Sequence, residues 1–222
     1  MFSRYAPAAI TALAFATAAH ANVISSIAQF PASGTIYPIT DANFTQQNNG
    51  FDVWVTGPNM RIDAIDPRPS TQSGGVIYLR TDLTPGQIDM NYGSGQGQRA
   101  PEDRFGAVIT FTTPVEAFVF DTVQDNEANL EVRFYAADTS LAASFTLFHA
   151  DGREIAPGTL ARINTSGWVS STQALSRIEI YDPRGISGRP FKFIERFGQE
   201  VVPSPATASL LLLSAALFRR RR

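Results

Sequence analysis

Beyond residue 21, His149 is the only imidazole, Lys192 is the only lysine, and the chain has no cysteine. Cysteine nucleophiles, thiolate clusters and Cys-containing zinc sites are therefore excluded. A Ser-His-Asp triad would have to be built on His149. Ser94, in Gly93-Ser94-Gly95, does not form a G-x-S-x-G elbow. His149 closes the run Phe145-Thr146-Leu147-Phe148 just before Asp151-Gly152, where a strand-end or turn residue is expected. Carboxylate chemistry needs no histidine: a glycosidase needs two carboxyl groups about 5–9.5 Å apart. Glu116, Glu131, Glu179 and Asp121 could supply such a pair. Glu131 and Glu179 each stand two residues from an arginine, Arg133 and Arg177. That spacing predicts cross-strand ion pairs on a solvated face, and no enzyme is predicted. An oxygen-only metal site would suit Ca2+. The best cluster is Asp121 to Glu127, with Asp121, Asp125 and Asn126 as candidate ligands. It lacks the D-x-D-x-D-G spacing and predicts a polar loop between strands; no resident cofactor is expected. Trp54, Tyr78, Tyr92, Tyr135, Trp168 and Tyr181 could stack on sugar rings. Alternation turns Tyr135 and Tyr181 outward, where they would form a carbohydrate platform beside the Glu/Arg pairs.

The elements that must carry these side chains are strands. In Asn129 to Tyr135, Leu130, Val132 and Phe134 face one way while Glu131, Arg133 and Tyr135 face the other. Ser176 to Tyr181 repeats the pattern with Ile178 and Ile180 inward, and Phe191-Lys192-Phe193 puts both rings on one face. Phe51 to Val55 and Val76 to Leu79 are strand-like too. Ala107 to Phe111 and Val115 to Phe120 read as two strands separated by Thr112-Thr113-Pro114, since proline removes a ladder donor. Turn signals such as Gly57-Pro58-Asn59, Thr84-Pro85-Gly86 and Asp182-Pro183 punctuate the runs. The polar stretch Asn91 to Arg104 lacks the Gly-Lys-Ser/Thr end of a phosphate loop and reads as a surface loop. The pattern predicts an all-β domain over 22–201, a two-sheet sandwich of jelly-roll type, with a closed barrel as the alternative.

The two ends differ from the middle. Residues 1–21 read as a secretory signal helix: Arg4 in front, an apolar run from Ala8 to Ala18, then the A-x-A site Ala19-His20-Ala21. At the other end, Val202-Pro203-Ser204-Pro205-Ala206 precedes an apolar stretch to Phe218 and the arginines Arg219, Arg220, Arg221 and Arg222. This order resembles a PEP-CTERM sorting signal, with its Pro-x-Pro-type motif, hydrophobic helix and terminal Arg cluster. The resemblance covers residues 202–222. It implies export from a Gram-negative-type bacterium that makes exopolysaccharide, cleavage by signal peptidase, and processing by an exosortase near the Pro-x-Pro motif. The apolar helix of 13 residues from Ala206 to Phe218 is about 20 Å long, against a hydrocarbon core of about 30 Å. It is a short transmembrane helix suited to temporary inner-membrane retention. A stable anchor and an exposed basic amphipathic tail are the alternatives.

Charge narrows the partners. Five of the 18 basic residues, Arg4 and Arg219 to Arg222, lie in these end segments, which hold no acidic residue. The middle keeps 13 basic against 20 acidic residues, a net of −7, which argues against a nucleic-acid partner. The combined expectation is an exported cell-surface or extracellular-matrix protein with a structural or adhesive β-sandwich, in a biofilm exopolysaccharide by implication of the resemblance. A lectin-like carbohydrate-binding module is the second reading and a surface glycosidase the third.

Overall fold

The computed structural model describes residues 22–49, 52–65, 75–92, 105–124, 129–155, 162–170, 172–183 and 191–202. The signal segment with Ala19 and Ala21, the sorting residues from Pro203 to Arg222, and Asp125 and Asn126 lie outside them. The strands are β1 (Asn22–Ile24), β2 (Thr35–Pro38), β3 (Thr45–Asn48), β4 (Val53–Gly57), β5 (Met60–Ala64), β6 (Gly75–Arg80) and β7 (Gln87–Tyr92). They continue as β8 (Phe105–Gln124), β9 (Leu130–Ala136), β10 (Leu141–Leu147), β11 (Arg153–Glu154), β12 (Arg162–Val169), β13 (Leu175–Asp182) and β14 (Phe191–Val201). Two short 3-10 turns, Ile27–Gln29 and His149–Asp151, are the only helical elements among the described residues. No helix there is long and apolar enough to cross a membrane.

All pairings are antiparallel, and the fourteen strands form one hydrogen-bonded sheet. This corrects the expectation of two separate sheets. The two strand-like runs around Thr112-Thr113-Pro114 are a single 20-residue strand, β8, which changes neighbours there. Its first half pairs with β13 and β5, in an arm that runs β10-β9-β13-β8-β5-β4-β3. Its second half pairs with β12 and β14, in an arm completed by β1, β11, β2, β7 and β6. The residues turned inward shift from Ala107, Ile109 and Phe111 to Phe118 and Phe120. A change from odd to even positions needs extra residues. Register breaks opposite Leu175/Arg177 and Glu200/Val201 supply them.

The arms close on each other over an aromatic core. Phe134 of the first arm lies 5.5 Å from Trp168 of the second, and Phe111 and Phe118, on either side of the break, meet edge to face at 4.9 Å. Phe118, Phe120, Phe193 and Phe197 continue the contacts along the second arm. All but Phe111, at 5%, are at most 1% exposed. Burying each such ring contributes about 1.5–3 kcal/mol. The alternation read in β9 is present, with Leu130, Val132 and Phe134 buried and the residues between them partly exposed. Gly167 sits where β12 passes closest to β8: a Cβ there would lie 2.2 Å from the carbonyl oxygen of Phe118.

Candidate functional site

The outward face of the first arm carries the side chains expected to form an aromatic platform. β13 and β9 are neighbours, with Arg177 opposite Tyr135, Glu179 opposite Arg133 and Tyr181 opposite Glu131. The platform itself does not form. Tyr181 is only 3% exposed, and the Arg133 guanidinium lies 5.3 Å from its ring centre. Arg177 lies 4.7 Å over Tyr135, whose hydroxyl donates to Glu179 Oε2 at 2.8 Å. Cation–π stacking has taken the ring faces that a sugar would need.

Ion pairs run along each strand between residues two apart, Arg133 with Glu131 at 2.7 Å and Arg177 with Glu179. A third unit repeats the scheme on β5 and β4. Arg61 pairs with Asp63 at 2.6 Å and lies 4.4 Å over Trp54, a ring whose face alternation alone does not assign. Side chains two apart share a face of a strand, and the aromatic ring comes from the next strand. The hydrogen bond it donates to Asp63 holds the Arg61 guanidinium above its ordinary pKa, and the one donated to Glu131 does the same for Arg133. Of the four carboxylates considered for a glycosidase, only Glu131 and Glu179 share this face, and each is paired with an arginine. Asp121 is on the other arm, and Glu116 stands near Pro114, where β8 changes partners.

An unforeseen site lies on the edge of the second arm. β1 covers β12 from Gly167 to Val169 and β11 covers Arg162 and Ile163. Among the described residues no strand covers Asn164 to Ser166 on that edge. Alternate residues of an antiparallel strand direct both N–H and C=O to one side, so part of this backbone faces the gap. A cleft of about 430 Å³ opens there. Its walls are Val23 to Ile27 from the end of β1 and the residues after it, Phe145 to Phe148 from the end of β10, Arg153 of β11 and Arg196 of β14. Phe148 stands at its mouth, 50% exposed. The turn that follows Phe148 is pinned. Arg162 Nη1 donates to the carbonyls of Ala150 and Gly152 at 3.2 and 3.0 Å, and the His149 N–H donates to Asn129 at 3.1 Å. Asn164 Nδ2 reaches the Phe148 carbonyl at 3.4 Å. His149 therefore serves in a turn, as its place after the strand implied.

Two arginines that line the cleft, Arg153 and Arg196, are held by carboxylates beside it. Opposite Thr122 and Phe120, β14 carries two extra residues between Phe193 and Phe197, and Glu195 adopts φ 66°. A left-handed glutamate is uncommon, and bulges of this kind re-aim side chains. This one turns Arg196 onto Asp121, Nε to Oδ2 at 2.8 Å, and sets Glu195 between Arg196 at 3.7 Å and Arg153 at 3.1 Å. Thr165 donates to the other Asp121 oxygen at 2.5 Å. Asp121 is 1% exposed, and burial pushes its carboxyl above the ordinary carboxylate range against the opposing hydrogen bond from Thr165 and charge of Arg196. The neighbouring charge of Glu195 acts in the same direction as burial. Each Asp121 oxygen accepts one hydrogen bond, from Arg196 and from Thr165; the other two candidate Ca2+ ligands, Asp125 and Asn126, lie outside the described residues. No group of three acidic or histidine side chains able to hold a metal occurs among the described residues.

No family model matches the chain, and no curated protein matches it. Among solved structures it is similar to the catalytic domain of a GH87 α-1,3-glucanase in complex with tetrasaccharides, at 14% identity and TM-score 0.35 over 79% of this chain. The chain spans 29% of that protein's length. It is also similar to the low-affinity xylan-binding module CBM86 from Roseburia intestinalis, at 10% identity and TM-score 0.34, covering 76% of this chain and 96% of that one. A mutant of the family 29 carbohydrate-binding module CBM29-2 matches at 14% identity and TM-score 0.28, covering 75% and 90%.

Proposed function

We propose that this chain is an exported, non-catalytic adhesive protein whose folded sheet, of jelly-roll type, holds an extracellular polysaccharide in the edge cleft. Export, cell-surface or matrix location and exosortase processing rest on the end segments and on their resemblance to a PEP-CTERM signal. The saccharide reading rests on the cleft. Its volume falls within the range of about 300–1,000 Å³ that small-ligand sites occupy. It combines one exposed ring, Phe148, with the polar groups of Ser25, Asn164, Ser166, Asp151 and Arg153. A sugar ring needs that pairing: an apolar face to stack on and polar groups in reach of its hydroxyls. The cleft favours the lectin-like reading over a purely structural one.

Calorimetric titration of the protein with a panel of neutral and acidic oligosaccharides tests this proposal. The expected result is binding by at least one oligosaccharide, weakened about tenfold by Phe148→Ala, a loss of ~1.4 kcal/mol, with the melting temperature unchanged. Heat signals absent across the panel, or equal affinity in the variant, would overturn it. Sugar release abolished by Glu131→Gln or Glu179→Gln would make the protein an enzyme instead.

A further inference from the structure

The register of the second arm places both ends of the described chain at one end of the sheet. Asn22 is opposite Val169, Val169 opposite Ala117, and Ala117 opposite Glu200. These four residues form a single row across β1, β12, β8 and β14. Three inter-strand steps separate Asn22 from Glu200, about 14 Å. β1 runs away from this row into the molecule, and β14 runs back towards it. The exit is fixed in place: the Val202 N–H donates to the Pro114 carbonyl at 3.1 Å, and Ser33 Oγ to Glu200 at 2.6 Å. The apolar segment of residues 8–18 precedes this rim by a few residues, and that of 206–218 follows it as closely.

We infer that this rim, around Asn22, Ser170, Pro114 and Val202, is the face of the protein that lies against a lipid surface while either end segment is attached. The inference rests on the reading of those segments as membrane-engaging. The surface at the rim suits close approach. Thr112, Thr113, Pro114, Ala137, Thr172, Gln173 and Ala174 carry no charge, and Val201 and Val23 are exposed apolar residues. Its charged groups are carboxylates: Glu116, Glu200 and Asp138, the last accepting two hydrogen bonds from Ser140. With no cation among these described groups, the tethers and not lipid charge hold the rim to the surface, so salt, which only screens the repulsion between carboxylates and anionic lipid, does not weaken the approach. The edge cleft runs along the side of the sheet from β1 towards the opposite end, and its mouth at Phe148 stays clear of the lipid.

The absence of cysteine makes the test direct. Single substitutions Ala32→Cys and Ala137→Cys at the rim, and Ala150→Cys beside the opposite end, all fall on exposed positions. Each variant of the full chain is labelled with a fluorophore and reconstituted into phosphatidylethanolamine/phosphatidylglycerol vesicles carrying a headgroup nitroxide. The expected result is flotation with the vesicles and quenching at positions 32 and 137 several-fold above that at 150, not weakened in high salt. Flotation with equal quenching at all three positions, or with 150 quenched most, overturns the orientation alone. A chain that does not float overturns the membrane reading of the end segments and the orientation with it.

Discussion

Replacing Arg196 by methionine removes the cation beside Asp121 while keeping much of the side chain's length. Asp121 is 1% exposed and would retain only the hydrogen bond from Thr165 at 2.5 Å. Leaving one partner of a buried pair alone costs about 3–5 kcal/mol. Arg196 is 31% exposed, so part of its charge already faces water and the lower end applies, about 3 kcal/mol. The loss has a definite pH dependence. Burial holds the Asp121 carboxyl above its unfolded value of 3.8, so the folded state binds more protons than the unfolded chain from there up to the folded value. Stability therefore falls as pH rises through that window, and the ionised form carries the full penalty above it. Without Arg196 the folded value moves higher and the window widens, so the variant recovers part of its stability on acidification. Urea unfolding of both proteins at about pH 7 and about pH 4.5 measures this. A loss under ~1 kcal/mol at neutral pH would place the pair with ordinary surface ion pairs and refute the reasoning, as would a loss that grows in acid. Pairing the change with Asp121→Leu should restore most of the stability, since apolar replacement of a buried pair is neutral or favourable.

Two further outcomes follow from packing. Phe134→Ala empties the contact between the arms, where Phe134 meets Trp168 at 5.5 Å and Phe145 at 5.8 Å. It should cost about 3–5 kcal/mol in thermal or urea unfolding and alter the indole emission; a loss near zero would mean that the arms do not depend on each other. Tyr135→Phe deletes the 2.8 Å hydrogen bond to Glu179, whose pairing with Arg177 remains. It should cost about 1 kcal/mol and leave oligosaccharide affinity unchanged; weaker binding in this variant would return the platform to consideration.

The strands that alternate strictly were legible in the chain. β9 and the inward residues of β13 follow the expected faces, because a two-residue period leaves little choice once one face is buried. β8 was legible in content but not in continuity. Proline at 114 signals a break, yet on a strand that changes partners it is accommodated without ending the ladder. The two-residue spacing of arginine and carboxylate at 131–133 and 177–179 was read from the chain and that at 61–63 was missed, whereas the stacking rings could not be read, since Trp54, Tyr135 and Tyr181 meet their arginines only through register. Alternation correctly turns Tyr181 outward, but it carries no information on what covers an outward residue. The edge cleft was illegible for a different reason. Its walls come from five stretches scattered between Val23 and Arg196, and the placing of Arg196 depends on a bulge and a positive φ that no local motif marks.

β14 also has a mechanical meaning. It is 11 residues long and hydrogen-bonded to β8 on one side and to β2 and β7 on the other. If the protein is held by the segment after Val202 while a polymer pulls from the opposite end, the force runs parallel to this strand. Its hydrogen bonds are then loaded together in shear, and none can open without its neighbours. A chain leaving the sheet sideways would unzip the same bonds one at a time. With the chain held in that way, tension would be shared along the whole length of β14.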